Sequence, residues 1–127
     1  RDYYASRGLG DVYKRQDIYR TGVIGQFNLT FELAWKALQE IMRKHGVEDS
    51  STGSPREILQ LGYKFGFIND SETWLLMLKK RNTSVHIYNK EEVDELILLI
   101  RDSFIPAFTA LKDTLARKLD EAESNWE

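Results

Sequence analysis

The stretch FNLTFELAWKALQEIM, residues 27–42, decides the fold class. Phe27, Phe31, Ala34, Trp35, Leu38, Ile41 and Met42 recur at steps of three and four, so a helix gathers them into one apolar stripe. Glu32, Lys36, Glu40 and Lys44 lie four apart on another face, where ion pairs are each worth only a few tenths of a kcal/mol. Gly46 supplies a natural C-terminal stop. This helix is predicted from Asp17 to Gly46, with a late start, because Gly22 and Gly25 each cost about 1 kcal/mol in a helix interior.

Toward the C-terminus, Glu48 to Gly53 reads as a polar loop. Ser54-Pro55-Arg56-Glu57 then opens a second helix: Ser as N-cap, Pro at the first helical position, Glu three beyond the cap. It carries Ile58, Leu59, Leu61, Tyr63 and Phe65, and Gly66 ends it. Asn69 or Asp70 caps a third helix, apolar on more than one side through Trp74 to Leu78. Asn89 opens the last long helix, whose stripe runs Val93, Leu96, Ile97, Ile100, Phe104, Phe108, Leu111 and Leu115. Pro106 lacks an N–H and crowds the preceding turn, so a kink or break is expected near Phe104. No strand alternation is visible. The expected architecture is all-α, an up-and-down helical bundle over residues 17–121 with a polar tail at 122–127. Surplus apolar surface on the third and fourth helices points to a homodimer.

Toward the N-terminus, residues 1–16 (RDYYASRGLGDVYKRQ) show neither a helical nor a strand period, and Gly8 and Gly10 interrupt them. They resemble translated sequencing-adapter text. They are read as a non-native or disordered segment outside the functional region.

Composition narrows the function classes. With 127 residues the chain fits one domain able to bury roughly two-thirds of its unfolded surface. It has no cysteine, which excludes disulfides and thiolate metal sites and suits a reducing compartment. His45 and His86 are the only histidines, so no zinc site is expected, and no cofactor is indicated. His45 has a sufficient explanation as a basic residue in a helix's last turn. No apolar run approaches a membrane span, so a cytoplasmic protein is expected. The net charge of −2 argues against broad phosphate neutralisation; contact with RNA would need a local site or a partner.

One segment carries recognisable chemistry. Arg81-Asn82-Thr83-Ser84-Val85-His86-Ile87-Tyr88 follows the third helix, and its polar and β-branched residues are weak helix formers. An imidazole can take or give a proton near neutral pH. A guanidinium can hold a phosphate in its donor fork. A phenol can accept a transferred group. Were the helix to continue, His86 would lie about 140° from Arg81 at roughly 100° per residue. The two converge only if the chain bends back or a second copy completes the site. The same residues also have ordinary explanations: a surface ion pair for Arg81, a loop position for His86, a core plug for Tyr88.

FNLTFELAWKAL (27–38), SPREIL (54–59), the Trp74–Leu78 block and RNTSVHIY (81–88), in that order, resemble the nucleotidyltransferase substrate-binding-like proteins, a branch of the HEPN superfamily. The resemblance covers Asp17 to Leu115. It implies a four- or five-helix bundle, dimeric, paired with a minimal nucleotidyltransferase as a toxin–antitoxin system. It further implies that Arg81 and His86 form a ribonuclease pair assisted by Asn82, cleaving RNA without metal by attack of the 2′-hydroxyl on the adjacent phosphate. Tyr88 would be the acceptor that the antitoxin modifies with AMP. Two departures stand out. The family begins with a further amphipathic helix where residues 1–16 stand, which would leave a bundle lacking its first helix, and Asn28 occupies a position where glutamate is common. A metal-independent endoribonuclease toxin is thus one expected function. A non-catalytic substrate-binding subunit of a nucleotidyltransferase is the alternative, and a plain helical interaction module a weaker third.

Overall fold

The apolar stripe of residues 27–42 becomes the spine of the molecule. The computed structural model describes residues 2–86 and 89–126, with side chains described for 15–84, 86 and 89–123. Its elements are helix α1 (Asp2–Lys44), α2 (Pro55–Lys64), α3 (Ser71–Thr83), a 3₁₀ turn (Ser84–His86), α4 (Lys90–Leu99), a π-helical turn (Ile100–Phe104) and α5 (Ile105–Trp126). The last three run on without a break, so four helical rods form the bundle, and there is no strand among the described residues.

Phe27, Phe31, Trp35, Leu38 and Met42 of α1 are buried against Ile58 and Leu59 of α2, Trp74, Met77 and Leu78 of α3, and Leu96, Ile100, Phe104, Leu111 and Leu115 of the last rod. Aromatic rings bridge the rods. Phe27 stacks on Phe104 at 5.2 Å between centroids, and Trp74 meets Phe108 edge-on at 5.5 Å. Gly62 of α2 packs directly against Leu38 of α1. A Cβ there would lie 2.9 Å from Leu38 Cδ2, so a side chain at position 62 would force Leu38 to shift.

Local signals hold at the helix ends. Ser54 and Glu57 form the full capping box, Asp70 accepts from Thr73 N–H at 3.0 Å, and Asn89 accepts from Glu92 N–H at 2.8 Å. Of the two candidates for the third cap, Asp70 is the one used. Gly46 (φ 72°) and Gly66 (φ 81°) are left-handed and close their helices in the same way. Val47 N–H reaches Met42 C=O and Gly46 N–H reaches Arg43 C=O, each at 3.0 Å, while Phe67 and Gly66 repeat the pattern onto Gly62 and Tyr63.

Two helices differ from expectation. α1 does not begin near Asp17; it runs back to Asp2, through Gly22 and Gly25, beside which nothing lies within 4 Å. The glycine cost is met by tertiary ties on the same stretch. Arg20 Nε donates to Asp94 Oδ1 of α4 at 3.0 Å, and Val23 and Ile24 pack on the core. Pro106 does not break the last rod. The turn before it widens, so that Ile105 N–H reaches back to Ile100 C=O, which relieves the crowding that proline imposes on a regular α-turn. His45 ties the far end of α1 to α5: its Nε2 lies 2.7 Å from the Lys118 carbonyl, which can only accept, so Nε2 carries the proton.

Candidate functional site

α3 ends at Thr83 because its last residues bond backward to their own turn. The Thr83 hydroxyl donates to Lys79 C=O at 3.0 Å and the Ser84 hydroxyl to Arg81 C=O at 2.9 Å. The chain then tightens into the 3₁₀ turn that contains His86. Arg81 therefore sits in the last turn of α3 and faces α1, three-quarters buried, whereas His86 stands at the exposed surface.

The Arg81 guanidinium is fixed by three contacts. Nη1 donates to Glu32 Oε2 at 2.6 Å, Nε donates to Asn82 Oδ1 at 3.1 Å, and the group lies 5.4 Å from the centre of the Phe31 ring. A guanidinium has five donors, and Nη2 makes no hydrogen bond among the described residues. Glu32 is in turn oriented by Trp35, whose indole N–H donates to Oε2 at 3.1 Å, and by Lys36 Nζ at 3.2 Å. One turn before Glu32, Asn28 Nδ2 donates to Ser84 Oγ at 3.1 Å. Asn28 Oδ1 is buried with no hydrogen-bond partner among the described residues. The i, i+4 pair Asn28 and Glu32 thus grips the end of α3 at two points.

Arg81 and Asn82 are brought together. His86 is presented at the surface, on the turn that follows them. Tyr88 lies outside the described residues. Glu32 is the residue that pattern alone misplaced: its spacing to Lys36 suggests a solvent-facing pair, and that pair does form, but the same carboxylate also takes Arg81. Its position directly after the buried Phe31, on the flank of the apolar stripe, was the available signal. Glu40 pairs with Arg43 rather than with Lys44.

The Trp35 indole N–H, then Lys36 and Arg81, hold the Glu32 carboxyl below the usual carboxylate range. A carboxyl lowered in the folded state stabilises the fold above its unfolded value of about 4.3, and that contribution is lost as pH falls through the folded value. Glu32→Gln is accordingly expected to be less stable than the parent at pH 7, with the difference vanishing in acid. Urea midpoints taken stepwise from pH 7 downward check this, and parallel curves for the two proteins would remove the ion pair from the account.

Among the described residues no helix is long and apolar enough to cross a membrane. A family model described as nucleotidyltransferase substrate binding protein like matches residues 5–117. The chain is also similar to a probable ribonuclease HepT of Haemophilus influenzae, 25% identical over 104 residues that cover 80% of this chain and 71% of that protein. The family match spans all four rods and the Arg81–His86 segment between them, and this chain is a member of the nucleotidyltransferase substrate-binding-like family, within the HEPN superfamily.

Proposed function

We propose that this protein is a metal-independent endoribonuclease toxin of the HEPN type, held in check by a minimal nucleotidyltransferase that transfers AMP to Tyr88. The observation that carries this reading is the Arg81 guanidinium, anchored by Glu32 and Asn82, with Nη2 making no hydrogen bond among the described residues, directly before a turn that exposes His86. An anchored guanidinium is suited to binding the phosphate on which negative charge builds. An exposed imidazole is suited to moving the proton. In the reaction the 2′-oxygen bonds to the adjacent phosphorus and gives up its proton, the bond from phosphorus to the 5′-oxygen breaks, and that oxygen takes a proton. The products are a 2′,3′-cyclic phosphate and a 5′-hydroxyl. Two imidazoles, one from each copy of a homodimer, supply the base and the acid.

Unsatisfied apolar surface supports the dimer. Leu29 and Leu33 of α1 and Ile105 of the last rod are each more than half exposed. A groove of about 540 Å³ between α1 and α5 is lined by Ala34, Ala37, Ile41, Leu115 and Leu119 beside Leu33. The apolar groove thus joins the first and last rods. On the third, Trp74, Met77 and Leu78 are buried, and Leu75 and Leu76 are half-buried.

The test is to incubate the purified protein with single-stranded RNA, before and after treatment with a minimal nucleotidyltransferase and ATP. Cleavage is expected beforehand and silence afterward, with an AMP adduct on the peptide that contains Tyr88; Tyr88→Phe should stay active through the treatment. Co-purification with the nucleotidyltransferase but no cleavage at any stage would instead establish a non-catalytic binding subunit.

A further inference from the structure

The outer face of α3 carries a second feature, on the opposite side of Asn82 from Arg81. Leu75, Lys79 and Asn82 form one stripe of the helix. With Leu76, Thr83 and Arg56 of α2 they line a shallow groove of about 400 Å³. Asn82 belongs to both places: it lines the groove, and its Oδ1 accepts from Arg81 Nε. The groove and the candidate site thus share this one residue.

Its two cations are uncompensated. Neither Arg56 nor Lys79 forms an ion pair among the described residues. The acidic neighbour of Arg56, Glu57, has its carboxylate committed to Ser54 at 3.0 Å. Arg56 also stands in the first turn of α2, where the helix dipole disfavours a positive charge. In a chain of net charge −2, two unpaired cations beside an anchored guanidinium, over a half-buried leucine floor, match the backbone of a single nucleic-acid strand.

We propose that this groove is a subsite for single-stranded RNA, in which Arg56 and Lys79 bind phosphates of the strand beyond the one held by Arg81. The proposal rests on the ribonuclease reading for its substrate and adds the path that the strand takes. It explains how a mildly acidic protein engages RNA without a broad basic face.

The experiment compares the full-length protein with Arg56→Ala, Lys79→Ala and the double variant. Two kinds of RNA are used: a dinucleotide and a decamer as substrates, and a decamer with 2′-methoxy groups, which cannot be cleaved, for binding by fluorescence anisotropy. The double variant is expected to raise KM for the decamer about tenfold at similar kcat, and far less for the dinucleotide, with a matching loss of binding for the 2′-methoxy strand. The slope of log Kd against log salt should fall by about 1.4, since each phosphate contact on a single strand contributes about 0.7. Thermal midpoints should hold, because both side chains are exposed and neither has a charge partner among the described residues. An unchanged salt slope overturns the proposal. So does an equal loss on both lengths, which would place the residues at the reacting phosphate, or a shift in oligomeric state by sedimentation, which would make the groove a protein interface. If the parent cleaves no RNA, the ribonuclease reading falls, while the anisotropy arm still decides whether the groove binds the strand.

Discussion

His86→Ala is expected to lower RNA cleavage by about 10²–10⁴-fold, the range typical for loss of a positioned acid–base group. The side chain stands at the exposed surface of the 3₁₀ turn, away from the buried cluster. The substitution lies outside the packed core, and the variant should therefore keep its helical content while losing turnover. That separation is what makes the experiment decisive. Arg81→Ala is a poorer choice, because it would break the tie between α3 and Glu32 of α1 and confound activity with stability. Initial rates on a defined RNA, with circular dichroism on the same preparation, give the result; cleavage that persists in His86→Ala would end the ribonuclease assignment.

The largest effect on stability is expected from Phe31→Ala. Phe31 is fully buried, its ring lies 6.2 Å from that of Trp74 and 6.4 Å from that of Phe27, and its other side supports the Arg81 guanidinium. Truncating such a ring removes its transfer energy and leaves a cavity, at a cost of about 3–5 kcal/mol. Against a total stability of roughly 5–15 kcal/mol, that is a large fraction. Urea unfolding should show a lower midpoint with little change in slope. The same variant removes the platform under Arg81, so weaker phosphate binding should accompany the loss. A change below about 1 kcal/mol would mean that the aromatic cluster is not the centre of the core.

Much of the architecture was legible because it is built from short-range bonds. Ser54, Asn89, Gly46 and Gly66 each act within one helical turn, and each does what its residue type and place predict. Pro106 was legible as a conflict but not in its outcome, since a break and a widened turn both relieve the same crowding; the buried Ile100 and Phe104 keep the rod continuous. The extent of α1 was misjudged for the opposite reason. Glycine cost is a local quantity, and it was outweighed by Arg20 reaching Asp94, 74 residues away.

The candidate site divides in the same manner. Arg81 and His86 could be singled out by residue type and by their place at a weakening helix end, and Asn82 only through the family resemblance. Glu32 and Asn28 could not be assigned to them, because a carboxylate four residues from a lysine already has a sufficient local explanation.

By itself, then, the sequence determined an all-helical bundle, the stops and starts of its rods, and the segment bearing an arginine and a histidine, since periodicity and capping act over three to five residues. Only the tertiary structure decided that Glu32 meets Arg81 across 49 residues, that Asn28 grips Ser84, and that a cationic groove adjoins them. Those contacts depend on how one rod is rotated against another, and that rotation is set by the packing of Phe31 on Trp74 and of Leu38 on Gly62 rather than by any local preference of the chain.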